Sequence, residues 1–435
     1  MSRTHAIPLS PITSGRYAVL DLMRGLAALA VLLFHMNYML GSETHVVARG
    51  YLAVDFFFIL SGFVIAANYH ASVRPALLWN DFLSARIARL WPLFLLATLI
   101  GFVAVTMKAT RDFGFLDAPN VFHALAFNSL MLPSFVQSYG VDRLFYFNAA
   151  SWSIFFELAV NLVFIVGLRR LGLKPLLALA SGFAVLLVLA ARANGSLDGG
   201  LTAATFHLGS LRVLFGFTAG MAVYLYAARS RLQAGGPVTP AAVAGLCLAF
   251  WADGNWISDS VLAVGVFPQL VLIGARGHLN AAWRRAGGWL GDISYSVYLL
   301  QTPAMLFVSW AFKLLIGRKI AEFAPYSGVA FVIALLGVSY LCWRFFELPA
   351  RNYLRRRLAS STPPPSRGRL GGGWGSHADG AGSSPQPHPH LNRTSAGFAQ
   401  PARSNGAEQC SAKPRPHPLE GEGEAAVGAY GRDTR

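Results

Sequence analysis

The sequence predicts an all-α polytopic membrane bundle of about ten transmembrane helices, followed by a disordered tail. Three observations carry that expectation. The 435 residues are 54% hydrophobic and only 13% charged, where soluble domains carry about 25% charge. The apolar residues fall in runs long enough to cross hydrocarbon as helices. From 358 to 435 the chain turns to Pro, Gly, Ser and Arg without periodic apolar positions, a composition that cannot bury enough surface to fold. The expected organisation is a cytoplasmic N-terminal segment at 1–16, a membrane domain at 17–357 and the tail.

The first span, 18–40, is the one the others are arranged around. It is interrupted by Arg24 and His35, 11 positions apart. That is close to three helical turns, so both leave one face, roughly 16 Å apart along the axis. A guanidinium and an imidazole there cost several kcal/mol unless each finds a partner or a wet cavity, so the pair reads as a site. The plainer alternative has Arg24 snorkelling to the interface and His35 lying at the opposite one. The second span, 51–68, starts GYLAVDFFFILSGF. Its Asp55 falls near the membrane face that His35 approaches, where a carboxylate can fix an imidazole's tautomer and raise its basicity. The alternative is a helix cap. Ser61-Gly62 offers a hydroxyl and a point of close helix packing.

Arg86 and Arg89, in SARIARLWPLF, stand at the entry to the third span, 88–106. Their spacing puts both on one face, suited to forked hydrogen bonds with phosphate or to ordinary flanking charge. The stretch 121–132 is too short to cross and reads as interfacial or re-entrant. The fourth span, 150–168, opens with SWSIFFELAVN. Glu157 lies a turn or so inside it, where a carboxylate needs a partner, and Trp152 stands beside it as a substrate contact. Spans follow at 175–191 and 203–227, the second burying Arg212, which needs an anion: a substrate or Glu157. A short span at 239–252 and one at 257–274 precede 290–312, which holds Tyr295, Tyr298 and Gln301 in ISYSVYLLQTP. The last, 326–346, runs into FFELPAR, whose Glu347 and Arg351 read as a structural ion pair.

Loop charge orients the bundle. With the N-terminus inside, inner segments hold about twice the basic residues of outer ones, and both termini are cytoplasmic. The net charge of +16 is then accounted for by these loops, with no aromatic-interleaved patch for nucleic acid. No apolar core lies in 1–16, so a cleavable signal peptide is not expected. Cys247, Cys342 and Cys410 have no metal-ligand spacing and no disulfide framework.

Arg24 with His35, VDFFFILSGF, Arg86-x-x-Arg89, SWSIFFE, ISYSVYLLQTP and FFELPAR, in that order, resemble the acyltransferase 3 family of integral membrane acyltransferases, over roughly 17–357. The resemblance implies an inner-membrane enzyme that takes an acyl group, most often acetyl, from cytoplasmic acyl-CoA to a hydroxyl of a cell-envelope or exported carbohydrate or glycolipid. It implies an essential His35 and a donor held by Arg24, Arg86 and Arg89. The expected mechanism has His35, oriented by Asp55, as general base or acyl carrier, with Glu157 orienting the acceptor. Ser61, Trp152, Arg212, Tyr295 and Gln301 would line the substrate path. Gln301 departs from the family, which often has histidine there. The tail lacks the apolar pattern of the esterase-like domain that some members carry. The rival expectation is a transporter or flippase for a lipid-linked sugar, although neither repeated halves nor paired broken helices are visible.

Overall fold

The computed structural model describes residues 17–41, 47–74, 77–113, 117–136, 143–230 and 238–359. The chain divides into two units, Met1–Ser366 and Arg367–Arg435. The N-terminal segment 1–16 and the tail beyond 359 lie outside the described residues.

Among the described residues all regular structure is helical. The helices are α1 (Ala18–Leu40), α2 (Ala53–Tyr69), α3 (Trp79–Phe113), α4 (Ala118–Ser129), α5 (Ser151–Val166), α6 (Leu173–Asn194) and α7 (Phe206–Arg229). They continue with α8 (Val238–Trp251), α9 (Trp256–Ser260), α10 (Phe267–Arg276), α11 (Ala281–Ile316), α12 (Tyr326–Cys342) and α13 (Leu348–Ala359). Among the described residues eight helical segments are long and apolar enough to cross a membrane, which makes this a multi-pass membrane protein. The other two predicted spans coincide with α5 and α8, of 16 and 14 residues. The stretch expected to be interfacial is α4, of 12 residues. Three boundaries differ from expectation, one being that α11 starts at Ala281, nine residues before the expected 290. Helix α3 begins at Trp79, so Arg86 and Arg89 lie two to three turns inside it. Helix α13 runs through Ala359, so the first two residues assigned to the tail are helical.

The end where α1 begins is here the proximal end. Helix α7 is the most buried of the spans and packs along α2, while α1 packs along α11. The α2–α7 contact is backbone to backbone. A Cβ on Gly220 would fall 2.0 Å from the Ile59 carbonyl oxygen, and one on Gly62 would fall 2.1 Å from that of Phe217. Small residues here let two membrane helices approach where no hydrophobic effect drives them together.

Two helices widen into π turns, Val261–Val266 between α9 and α10 and Trp343–Glu347 between α12 and α13. A proline follows each within two residues, Pro268 and Pro349. Its ring cannot donate and crowds the carbonyl of the preceding turn, so an extra residue enters that turn.

At the distal end Arg49 and Tyr51 fasten the α1–α2 connection to α9. The Tyr51 hydroxyl donates to Asp259 at 2.8 Å and Arg49 pairs with the same carboxylate at 3.6 Å. At the proximal end, His70 lies against Ser72 Oγ (2.8 Å) and the Leu171 carbonyl (3.0 Å). A carbonyl only accepts, so Nε2 carries the proton and Nδ1 is the acceptor. Burial holds this imidazole below its usual pKa.

Candidate active site

A cavity of about 340 Å³ lies among α1, α2, α3, α5, α11, the turn between α12 and α13, and the start of α13. Four guanidiniums line it: Arg24, Arg86, Arg89 and Arg351. Arg24 pairs with Asp21 one turn earlier (3.0 Å) and donates to the Gly291 carbonyl at 2.7 Å. Arg86 is 9% exposed, its guanidinium 5.4 Å from the Tyr69 ring and 5.7 Å from that of Phe82. Its Nε has no hydrogen-bond partner among the described residues. Aromatic faces stabilise a cation without using up its donors, so Arg86 is held in place with capacity for an anion.

Carboxylates share the cavity. Glu157 accepts from the Ser61 hydroxyl at 3.0 Å, so the neighbour of Gly62 lines the cavity beside a carboxylate. Glu347, aimed inward by the widened turn, accepts from Ser296 Oγ at 2.9 Å. The expected ion pair with Arg351 is therefore corrected: Glu347 takes its hydrogen bond from Ser296, and both groups face the cavity. The Tyr295 hydroxyl donates to the Leu90 carbonyl at 2.7 Å, fixing α11 to α3 beside Arg89.

Tyr298 and Ser153 line the cavity toward the distal side. Their hydroxyl oxygens are 2.7 Å apart, and Ser153 donates its only proton to the Ala150 carbonyl at 3.0 Å. Tyr298 is thus the donor of that pair. Phe57 abuts the Tyr298 ring edge-on, at 5.7 Å between centroids.

His35 is not part of this lining, to which α1 contributes only Asp21 and Arg24. It lies roughly 16 Å further along the helix, past the Tyr298 tier. There it sits beside Gln301 and its Nδ1 has no partner among the described residues. Gln301 is fully buried and donates to the Tyr298 carbonyl at 3.1 Å, leaving its own carbonyl oxygen unpartnered.

Three expectations require correction. Asp55 does not orient His35, because both its oxygens accept from Arg212, at 3.0 and 2.7 Å. Arg212 does not pair with Glu157. It is 0% exposed and spends its remaining donors on the Gly199 and Tyr51 carbonyls. Trp152 stacks on the Arg212 guanidinium at 5.1 Å and does not line the cavity. A buried guanidinium takes the nearest carboxylate and covers the rest of its surface, which makes these three residues a closed structural unit. The polar cavity residues that sequence reasoning passed over as site members are Asp21, Ser153, Asp292, Ser294, Tyr298, Glu347 and Arg351. The available signals were the i, i+3 spacing of Asp21 and Arg24, and a carboxylate two residues before a proline.

The family described as acyltransferase domain matches residues 17–344. A protein of Rhizobium radiobacter described as protein 2 in picA locus is 35% identical over 188 residues, which are 40% of this chain and 95% of that relative. No solved structure matches.

Proposed function

The chain belongs to the acyltransferase family whose domain it matches, and from that membership we propose that it moves an acyl group, acetyl in the simplest case, from coenzyme A to a hydroxyl of an exported or cell-envelope carbohydrate or glycolipid. The proximal end is then cytoplasmic, as the loop charge favours. The observation that carries this reading is the guanidinium set of one cavity. Arg86 and Arg89 on α3, Arg24 on α1 and Arg351 on α13 face a common space, and forked donors converging there suit the phosphates of coenzyme A. In this reading Glu157 and Ser61 meet the amides of the pantetheine arm, in place of the acceptor role expected from sequence.

The thioester then has to reach His35 past Tyr298 and Ser153. His35 takes the proton of the acceptor hydroxyl as that oxygen attacks the thioester carbonyl. The carbon–sulfur bond breaks, and the thiolate leaves with the proton returned by the imidazolium, giving the ester and free coenzyme A. In the variant route, His35 itself carries the acyl group between the two halves of the reaction. Gln301 stands beside the ring, at the position where the family often has histidine.

The direct test is transfer of radiolabel from acetyl-CoA to membrane glycans in vesicles of defined orientation. Label entering ester-linked product only with donor on the proximal side supports the reading. Donor use from the distal side alone would reverse the orientation and remove the donor role of the arginines.

A further inference from the structure

We propose that a cleft on the far side of α7 from the α2 contact holds one acyl chain of a membrane phospholipid, with the lipid phosphate between Lys174 and Arg276. The cleft, of about 440 Å³, is bounded by α6, α7 and the π turn leading into α10. Helix α6 packs on α7 and meets α9 at the distal end. The widened turn and Pro268 carry α10 away from it below that point. The walls come from small and aliphatic residues, among them Ala180, Ala184, Ala219 and Ala222.

Its depth matches one leaflet. The lining runs along α6 from Leu173 to Ala184, roughly 16 Å at the helical rise, half of the ~30 Å hydrocarbon core. The residues facing Ala184 at the closed end, Phe215 and Val264, lie mid-helix, whereas Tyr226 and Leu272 lie at the proximal mouth. A groove one leaflet deep, walled by small and aliphatic side chains, suits a single hydrocarbon chain lying along it.

The mouth supplies the charge a phosphate requires. Lys174 is exposed in the first turn of α6. Arg276 ends α10, 6.0 Å from the Tyr226 ring, with Nη2 donating to the Ala227 carbonyl (3.3 Å) and to Ser230 Oγ. That anchoring points the guanidinium along the interface, and basic groups at this level attract anionic headgroups.

The test is native mass spectrometry of the full chain with added phosphatidylglycerol or, as the phosphate-free control, diacylglycerol of the same chains. One phosphatidylglycerol per chain is expected, with diacylglycerol retained about tenfold less. Ala184→Phe fills the cleft and is expected to lower phosphatidylglycerol retention about tenfold, with the lipid-free melting temperature unchanged. Equal retention of the two lipids, or undiminished retention by folded A184F, overturns the proposal. Should A184F not fold, Lys174→Glu on the exposed rim decides: retention must fall, and unchanged retention overturns the proposal equally.

Discussion

Arg212 holds Asp55 through two parallel hydrogen bonds, Nε to Oδ1 at 3.0 Å and Nη2 to Oδ2 at 2.7 Å, with neither side chain more than 3% exposed. Removing one partner leaves an uncompensated charge in the bundle, which costs about 3–5 kcal/mol. Arg212→Met and Asp55→Asn are expected to lower the melting temperature of the purified protein sharply. The folded fraction should keep its turnover per molecule. A folded, stable D55N without activity would return Asp55 to the chemistry.

His35 stands outside the arginine-lined cavity. His35→Ala is accordingly expected to lose about 10²- to 10⁴-fold in turnover while binding coenzyme A as the wild type does. Isothermal titration of coenzyme A beside an acyl-transfer assay reads both quantities. Lost donor affinity would place the imidazole in the cavity after all.

If Arg86 and Arg89 hold the donor's phosphates as proposed, Arg86→Gln and Arg89→Gln remove contacts made equally in ground and transition states. Each should raise the KM for acyl-CoA about tenfold with kcat little changed, the signature of lost uniform binding. Arg351→Gln should do the same if α13 shares the donor. Unchanged donor kinetics in all three would leave these charges with topology alone.

Gly220→Leu tests the backbone contact of α2 and α7. Its Cβ would overlap the Ile59 carbonyl, which is main chain and cannot rotate away. The expected result is loss of folded protein by size-exclusion chromatography, because overpacking a rigid contact costs about 1–3 kcal/mol or more. Gly245→Ala, where an added Cβ meets nothing within 4 Å, should express normally.

His70 gives a pH dependence. Burial lowers its folded pKa below 6.5, so between the folded value and 6.5 the unfolded chain binds more protons. Stability therefore rises with pH through that window and is lost as pH falls through the folded pKa. His70→Gln should flatten the fall in melting temperature below pH 6. An identical slope in the variant would assign the acid sensitivity elsewhere.

The helices were legible in the sequence because a span of apolar residues in lipid has one economical conformation. All ten predicted spans fall on helices, and Arg24, Ser61, Arg86, Arg89, Glu157 and Tyr295 do share one cavity. The partnerships were not legible. Asp55 and Arg212 are 157 positions apart, and helical periodicity says which face a residue takes but not which neighbour lies opposite. Depth was harder still: Arg24 and His35 share a face of α1, yet only Arg24 lines the cavity. The role of Glu347 depends on a widened turn, which follows from Pro349 only once the helix is known to continue past it.

The contact between Tyr298 and Ser153 bears on the energetics of the cell as much as on catalysis. A continuous file of water from the arginines to His35 would conduct protons and discharge the gradient that the membrane maintains. On the proposed reading the hydrogen-bonded pair, with Phe57 against the Tyr298 ring, stands on that route and interrupts the file.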